Sequence, residues 1–381
     1  MRFARLALMA LWLLAAGLVP AGSAGAAGSR CFAETGHCIE GRFLEYWEQN
    51  GGLAVFGLPI GAAGQEVNRD TGATYLTQWF ERARFELHPE NAAPYDVLLG
   101  RLGADQWAQN TTLPIMLVPE HGMPPEQRQP QAGCRWFPET RFNVCNEEGI
   151  NGPLMRIGFL DYWESHGLSD PRMDADQRSL ALLGLPITGM FLAYNSSGDF
   201  VLMQYFERAR LEFHRREEGS LVLQGRLGAE VLHPMGPWQL VRSRIPAAVP
   251  VYQPGWLPAD HQAPTFLFLE SDGGEGCDPG CYTLAYQGKQ PAEQLAFVLN
   301  DGYQGWGGDV IPPGMVSEEP ITVAGAAGTL RIGSFGAGDT AVQVYIAVWE
   351  SHGQTYRVSA ESPTLTRDDL LRVLANLQSV K

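Results

Sequence analysis

Beyond its first 27 residues the chain has no apolar run approaching the roughly eighteen residues that a membrane span requires. Positive charge is scarce: 27 lysines and arginines face 42 aspartates and glutamates, for a formal net charge of −15. Such a surface repels phosphate backbones and anionic lipid, which argues against nucleic acid and polybasic membrane attachment. The eight histidines include no HxH or HExxH pair. No GxSxG, Walker loop or dinucleotide fingerprint occurs either, so the sequence assigns no metal, no cofactor and no catalytic residue.

What is present begins with Arg2 and Arg5, the apolar run "LALMALWLLAAGLV" and the small-residue stretch "AGSAGAAG". This is the layout of a secretory signal peptide over residues 1–27, with cleavage expected after Ala24, Ala26 or Ala27. Losing the two arginines takes the net charge from −15 to −17. A secreted or extracytoplasmic location with no integral membrane segment after cleavage follows. The six cysteines fall into close pairs, Cys31 with Cys38, Cys134 with Cys145 and Cys277 with Cys281. In an oxidising compartment such pairs read as three local disulfides; two thiols without a neighbouring histidine make a poor zinc site.

A repeat dominates the rest. "QWFERARFELH" (Gln78 to His88) returns as "QYFERARLEFH" (Gln204 to His214), identical at eight of eleven positions. "FLEYWEQNGG" at Phe43 matches "FLDYWESHG" at Phe159, "GLPI" occurs at Gly57 and Gly184, and "GRLGA" at Gly100 and Gly225. The stretch "SDPRMDADQRSL" lengthens the second copy. These features divide the chain into module 1 (28–117), a proline-rich linker (118–133), module 2 (134–240) and a C-terminal domain (241–381). The linker is the expected first site of proteolysis, leaving residues 28–118 folded alone. Helical spacing of Phe43, Leu44, Tyr46 and Trp47, with Gly51 as a left-handed cap, predicts a core helix; Phe159, Leu160, Tyr162, Trp163 and Gly167 predict its counterpart.

The charged motif admits two readings. A continuous strand places Trp79, Glu81, Ala83, Phe85 and Leu87 on one apolar face, so that Glu81 and Glu207 need cationic partners. Arg101 and Arg226, which recur in GRLGA, are then expected to form structural ion pairs within each module, Glu81 with Arg101 and Glu207 with Arg226. Arg84 and Arg210 fall on the opposite face and are the candidate ligand contacts. If "ERAR" is instead a hairpin turn, its charges are solvated. His88 and His214, ending their strands, read as structural.

The order of these motifs, a helix ending in Gly-Gly, "FGLP" or "LGLP", "Q-aromatic-F-E", an extended run and a closing "GRLG", resembles the LGFP repeat of secreted bacterial cell-wall-associated proteins. The resemblance covers about residues 41–109 and 154–235. It implies small modules that associate with envelope polysaccharide, with Phe-Glu opening a hairpin turn. The FERAR arginines stand where that family has glycines.

From about Arg242 the pattern changes to strands, among them "TFLFLES", "YTLAYQG", "ITVAG" and "TLRIGS", then "AVQVYIAV" and "QTYRVSAE" as a hairpin. A final helix follows, capped by Thr364 or Thr366, with Asp368 and Asp369 in its first turn and Leu370, Leu371, Val373, Leu374 and Leu377 as its apolar stripe. "WESHG" occurs at Trp163, ending a helix, and at Trp349, turning the hairpin, so Ser351 beside His352 is no catalytic pair. This part resembles a domain of unassigned function in bacterial extracytoplasmic proteins. Its loop "DGYQGWGGD" offers Tyr303 and Trp306 as flat faces for a sugar ring. The fold class is α+β: two repeated α+β modules, each with a local disulfide, then an antiparallel sheet with a packed helix. The function expected is non-catalytic attachment to, or recognition of, cell-envelope or extracellular polysaccharide. A glycan hydrolase with dispersed carboxylates and a protein-binding or sensor subunit are the alternatives. Asn110 and Asn195 head glycosylation sequons.

Overall fold

The computed structural model describes residues 28–112, 129–148, 156–216, 219–261, 264–270, 280–288, 293–300, 317–335 and 341–381. The expected signal peptide, linker residues 118–128, Cys277, Tyr303 and Trp306 lie outside the described residues.

Repeat 1 opens with a hairpin, β1 (Ser29–Phe32) and β2 (His37–Glu40), clasped by the Cys31–Cys38 disulfide. Helices α1 (Gly41–Gln49) and α2 (Gly52–Phe56) follow. Next comes an antiparallel sheet in chain order, β3 (Gly64–Val67), β4 (Thr74–Trp79), β5 (Arg84–Leu87) and β6 (Val97–Leu99), closed by α3 (Leu102–Thr112). Repeat 2 opens with β7 (Cys134–Phe137), β8 (Phe142–Glu148) and β9 (Arg156–Gly158), clasped by Cys134–Cys145. It continues with α4 (Phe159–Ser165), α5 (Ala175–Leu183), the sheet β10 (Phe191–Tyr194), β11 (Phe200–Tyr205), β12 (Arg210–Arg216) and β13 (Gly219–Gln224), and α6 (Leu227–Leu232).

In α1 the residues Phe43, Leu44, Tyr46 and Trp47 are buried, and Gly51 takes φ 98°, where a side chain would be strained. Trp47 Nε1 donates to the Gly57 carbonyl at 3.1 Å, fixing the Gly-Leu-Pro turn beneath the helix. Repeat 2 departs here. Gly167 is not left-handed; the backbone passes it close to α5, and the Leu168 amide donates to the Arg178 carbonyl. The inserted stretch forms α5, capped reciprocally by Asp174 and Gln177, and reaches across to repeat 1. The Ser169 amide donates to Asn50 Oδ1 at 2.8 Å, and Arg172 Nη1 to the Ala93 carbonyl at 2.6 Å.

One hydrophobic cluster runs through both repeats, from Phe43, Trp47, Phe80 and Phe85 to Trp163, Leu183, Phe206 and Leu211. The repeats are units of sequence, but their core is common. Residues 28–118, expected to stay folded alone, contribute only part of this cluster, and removing repeat 2 bares their share of it.

The C-terminal part starts with α7 (Pro237–Arg244) and β14 (Tyr252–Pro254). Its strands are β15 (Pro264–Glu270), β16 (Cys281–Gln287), β17 (Gln294–Leu299), β18 (Ser317–Val323), β19 (Ala326–Phe335), β20 (Val342–Ser351) and β21 (Gln354–Ser362). They form one antiparallel sheet in the order β15-β16-β17-β21-β20-β19-β18. Helix α8 (Arg367–Ala375), capped by Thr366, buries Leu370, Val373 and Leu374 against it. The chain then leaves the helix, so Leu377 opens β22 (Leu377–Ser379), paired with β14. His352 and Gly353 turn the β20–β21 hairpin with φ of 54° and 72°. Cys281 is disulfide-bonded. The edge strand β15 is met by repeat 2: the Tyr194 hydroxyl donates to the Leu269 carbonyl and accepts from its amide, both at 2.9 Å.

Candidate functional site

The recurring motif is a turn. Strand β4 ends at Trp79, which pairs in register with Arg84, and the Phe80 amide donates to the Ala83 carbonyl at 2.8 Å. The intervening amides anchor elsewhere, Glu81 on the Leu58 carbonyl and Arg82 on that of Phe56, each at 3.0 Å. Phe206 to Ala209 repeat this arrangement, with Glu207 on Leu185 and Arg208 on Leu183. Alternation therefore does not run through the motif, and Glu81 does not sit on the apolar face that a continuous strand implies.

The ion pairs expected within each module are exchanged between modules. Arg226 Nη2 donates to Glu81 Oε1 at 2.7 Å, and Arg101 Nη2 to Glu207 Oε1 at 3.3 Å. Neither glutamate is desperate for charge compensation in its own module, since Glu81 Oε2 accepts from the Leu58 amide and Glu207 Oε2 from the Leu185 amide, both at 3.2 Å. The four residues are paired as expected in kind, with different partners.

These contacts belong to a reciprocal interface in which the turn of one repeat meets the GRLGA of the other. The Ala229 amide donates to the Glu81 carbonyl and the Ala104 amide to the Glu207 carbonyl, each at 3.1 Å. Arg82 Nε donates to the Gln224 carbonyl and Arg208 Nε to the Leu99 carbonyl, each at 3.3 Å. Burial pushes the Arg208 pKa down. Between them, Gly103 and Gly228 bring helix backbone against the carbonyls of Phe206 and Phe80. Residue i meets residue j and j meets i, the signature of an isologous contact, here made within one chain.

Arg84 and Arg210, the expected ligand contacts, are buried instead, 7% and 2% exposed. Each begins an Arg-x-Glu-x-His row along one face of its strand. Arg210 Nε, His214 Nε2 and Asn195 Nδ2 all lie 2.9 Å from the Glu212 carboxylate, and Glu230 of α6 closes on Arg210 at 2.7 and 2.8 Å. In repeat 1, Arg84 Nε, Asn68 Nδ2 and His88 Nε2 surround Glu86 at 3.0, 2.6 and 3.4 Å, with Asp105 of α3 3.7 Å from Arg84. The guanidinium groups also lie over Tyr205 and Trp79. The pairing of Glu with His was legible only as a structural histidine, and the asparagines carried no sequence signal, because they arrive from the preceding hairpin. Asn195, 6% exposed and bonded to Glu212, is closed to glycosylation as folded.

Burial pushes the Glu212 carboxyl up, but Arg210, His214 and Asn195 outweigh it and hold it at about 2, against an ordinary 4.5. A depressed carboxylate stabilises the fold above its unfolded pKa and loses that contribution as pH falls towards the folded one. About 3 kcal/mol is thus expected to disappear between pH 4.5 and 2. Urea unfolding across pH 6 to 2 is the check; Glu212→Gln should flatten the wild-type slope over that window.

The faces of the two sheets that carry the Arg-x-Glu-x-His rows diverge. In repeat 2 the row of Phe191, Ala193, Val201 and Met203, on the face of the Arg210-Glu212-His214 row, is apolar and buried, and Trp107 of α3 packs on Phe191 and Tyr205. Register places Gly64, Glu66, Tyr75 and Thr77 at the equivalent positions of repeat 1. There Tyr75 is half-buried and packs on His88 at a tilt, with ring centroids 3.8 Å apart, while His88 Nδ1 lies 2.9 Å from Glu90 and both oxygens of Glu66 accept from Trp79 Nε1. In the C-terminal domain His261 is buried with neither ring nitrogen hydrogen-bonded, and burial lowers its pKa against the pull of Glu293 and Asp260. Among the described residues, no group of three His, Cys, Asp or Glu is arranged to hold a metal ion, and no helix is long and apolar enough to cross a membrane.

No protein-family model and no curated protein matches the chain. A solved structure described as "Crystal structure of MucB in complex with MucA(peri)" aligns over 83% of this chain and 86% of that one, at 14% identity and a TM-score of 0.17. A superposition that poor carries no argument about fold or function.

Proposed function

We propose that the chain is an extracytoplasmic, non-catalytic protein that attaches to or recognises envelope or extracellular polysaccharide, and that recognition falls to the partly exposed end of the repeat 1 sheet around Glu66 and Tyr75. The observation behind this reading is the divergence of the two equivalent sheet faces. Where repeat 2 buries the apolar Ala193, Val201 and Met203, repeat 1 carries polar groups, a half-buried Glu66 and Tyr75 beside a buried Thr77. An aromatic ring beside carboxylates suits a sugar, whose C–H faces stack on rings and whose hydroxyls donate to oxygens. The repeated arginines are committed to ion pairs, which leaves recognition to residues that differ between the copies.

A glycan array with the mature protein tests this, run alongside Tyr75→Ala and a hydrolase screen on the same samples. Binding without turnover, weakened about ten-fold by Tyr75→Ala, is the expected result; ten-fold corresponds to about 1.4 kcal/mol of lost contact. Turnover shifts the reading to a glycan hydrolase, and silence in both assays to a protein-binding role for the C-terminal domain.

A further inference from the structure

We propose that the reciprocal interface is exchangeable between chains, so that repeat 1 of one molecule docks onto repeat 2 of a second copy, and the reverse, in a closed two-fold dimer. The interface is built from the same residue types on both sides, Glu81 with Arg226 and Glu207 with Arg101, and from matching main-chain bonds at 3.1 Å. None of these contacts depends on the two repeats being covalently joined. What joins them is residues 113–128, which at about 3.3–3.6 Å per extended residue can reach on the order of 50 Å. Joined in one chain, the two halves meet intramolecularly, so the closed monomer dominates in dilute solution and exchange becomes competitive as the protein is concentrated.

The partner repeat is also specified. Three contacts exist only between a first and a second repeat: Ser169 on Asn50, Arg172 on the Ala93 carbonyl, and Trp107 against the rings of Phe191 and Tyr205 at 5.7 and 5.4 Å. A pair of first repeats, or of second repeats, loses all three. The C-terminal domain travels with repeat 2 through the double hydrogen bond of Tyr194 to Leu269, so exchange leaves that junction intact.

Two full-length variants test this by charge complementation. One carries Glu81→Arg with Glu207→Arg, the other Arg101→Glu with Arg226→Glu. Closed on itself, each variant opposes like charges at both crossings; exchanged with the other, it has all four crossings attractive. Unfolded together and refolded at equal concentration, they should give a one-to-one dimer by native mass spectrometry, at least ten-fold above the dimer fraction of wild type treated alike. The result also holds if each variant alone is poorly folded and the mixture recovers structure. A mixture in which both remain monomers, or in which neither regains structure, overturns the proposal.

Discussion

Arg210→Ala is expected to destabilise the protein by about 3–5 kcal/mol, the range for removing one partner of a buried ionic cluster. Two carboxylates, Glu212 and Glu230, close on this guanidinium at 2% exposure, and alanine leaves both buried without their cation. Burial alone would depress the Arg210 pKa, but Glu230, Tyr205 and Glu212 hold it well above its ordinary value. Glu81→Ala, by contrast, removes a pair whose arginine is about half-exposed, and should cost under ~1 kcal/mol. Chemical denaturation of the two variants, side by side, ranks them. A Glu81 variant less stable than the Arg210 variant would show that the exposed crossings, rather than the buried rows, hold the repeats. Replacing Arg210, Glu212 and Glu230 together by apolar residues of similar volume should recover much of the loss, because no uncompensated charge then remains.

Gly103→Ala should be destabilising by about 3 kcal/mol or more, at or beyond the upper end for overpacking. The sign is informative. In an ordinary helix this change stabilises by about 1 kcal/mol, since alanine is the better helix former. Here an added Cβ would lie 1.8 Å from the Phe206 carbonyl oxygen and 2.9 Å from that of Ala209, both main-chain atoms that no rotamer change can move. Gly228→Ala meets the Phe80 carbonyl at 1.9 Å and should behave alike. Relief requires the repeats to separate, so the effect should appear in the melting of both together. Thermal unfolding of Gly103→Ala at or above the wild-type midpoint would mean that the helix backbone does not approach the neighbouring turn this closely.

Period-two and period-3.6 patterns found most elements, including the final helix and the β20–β21 hairpin, because a side chain's face follows from its position along a single element. They failed at Phe80 to Ala83, where the count of two has to stop and restart. With it goes the assignment of faces: Arg84, which alternation puts at the solvent, is buried, and Glu81, which it puts on a strand's apolar face, sits partly buried in the turn. The crossing of Glu81 to Arg226 was illegible for a different reason. Two identical motifs offer two equally good pairings, within or between copies, and the choice rests on which backbones approach, a property of tertiary packing. The glycines of GRLGA were the available clue, since a repeated glycine inside a helix asks for a close neighbour. Strand β17, "QLAFVL", was missed because a short unbroken apolar run has no alternation to read.

The crossed contacts also set an order of events. Arg226 lies 145 residues after the glutamate it meets, and Glu207 lies 106 residues after Arg101. A chain emerging from its N-terminus therefore delivers the first turn and the first GRLGA long before either has a mate. Until the second repeat has cleared the exit, Phe80, Phe85 and Gly103 belong to an open half. Such long-range closure is slow, and it exposes the half-built core to chaperones or to another emerging chain. In this molecule the last strand and helix of repeat 2 act as a latch, and premature release just short of Arg226 should yield a species that binds hydrophobic probes although its first 112 residues are complete.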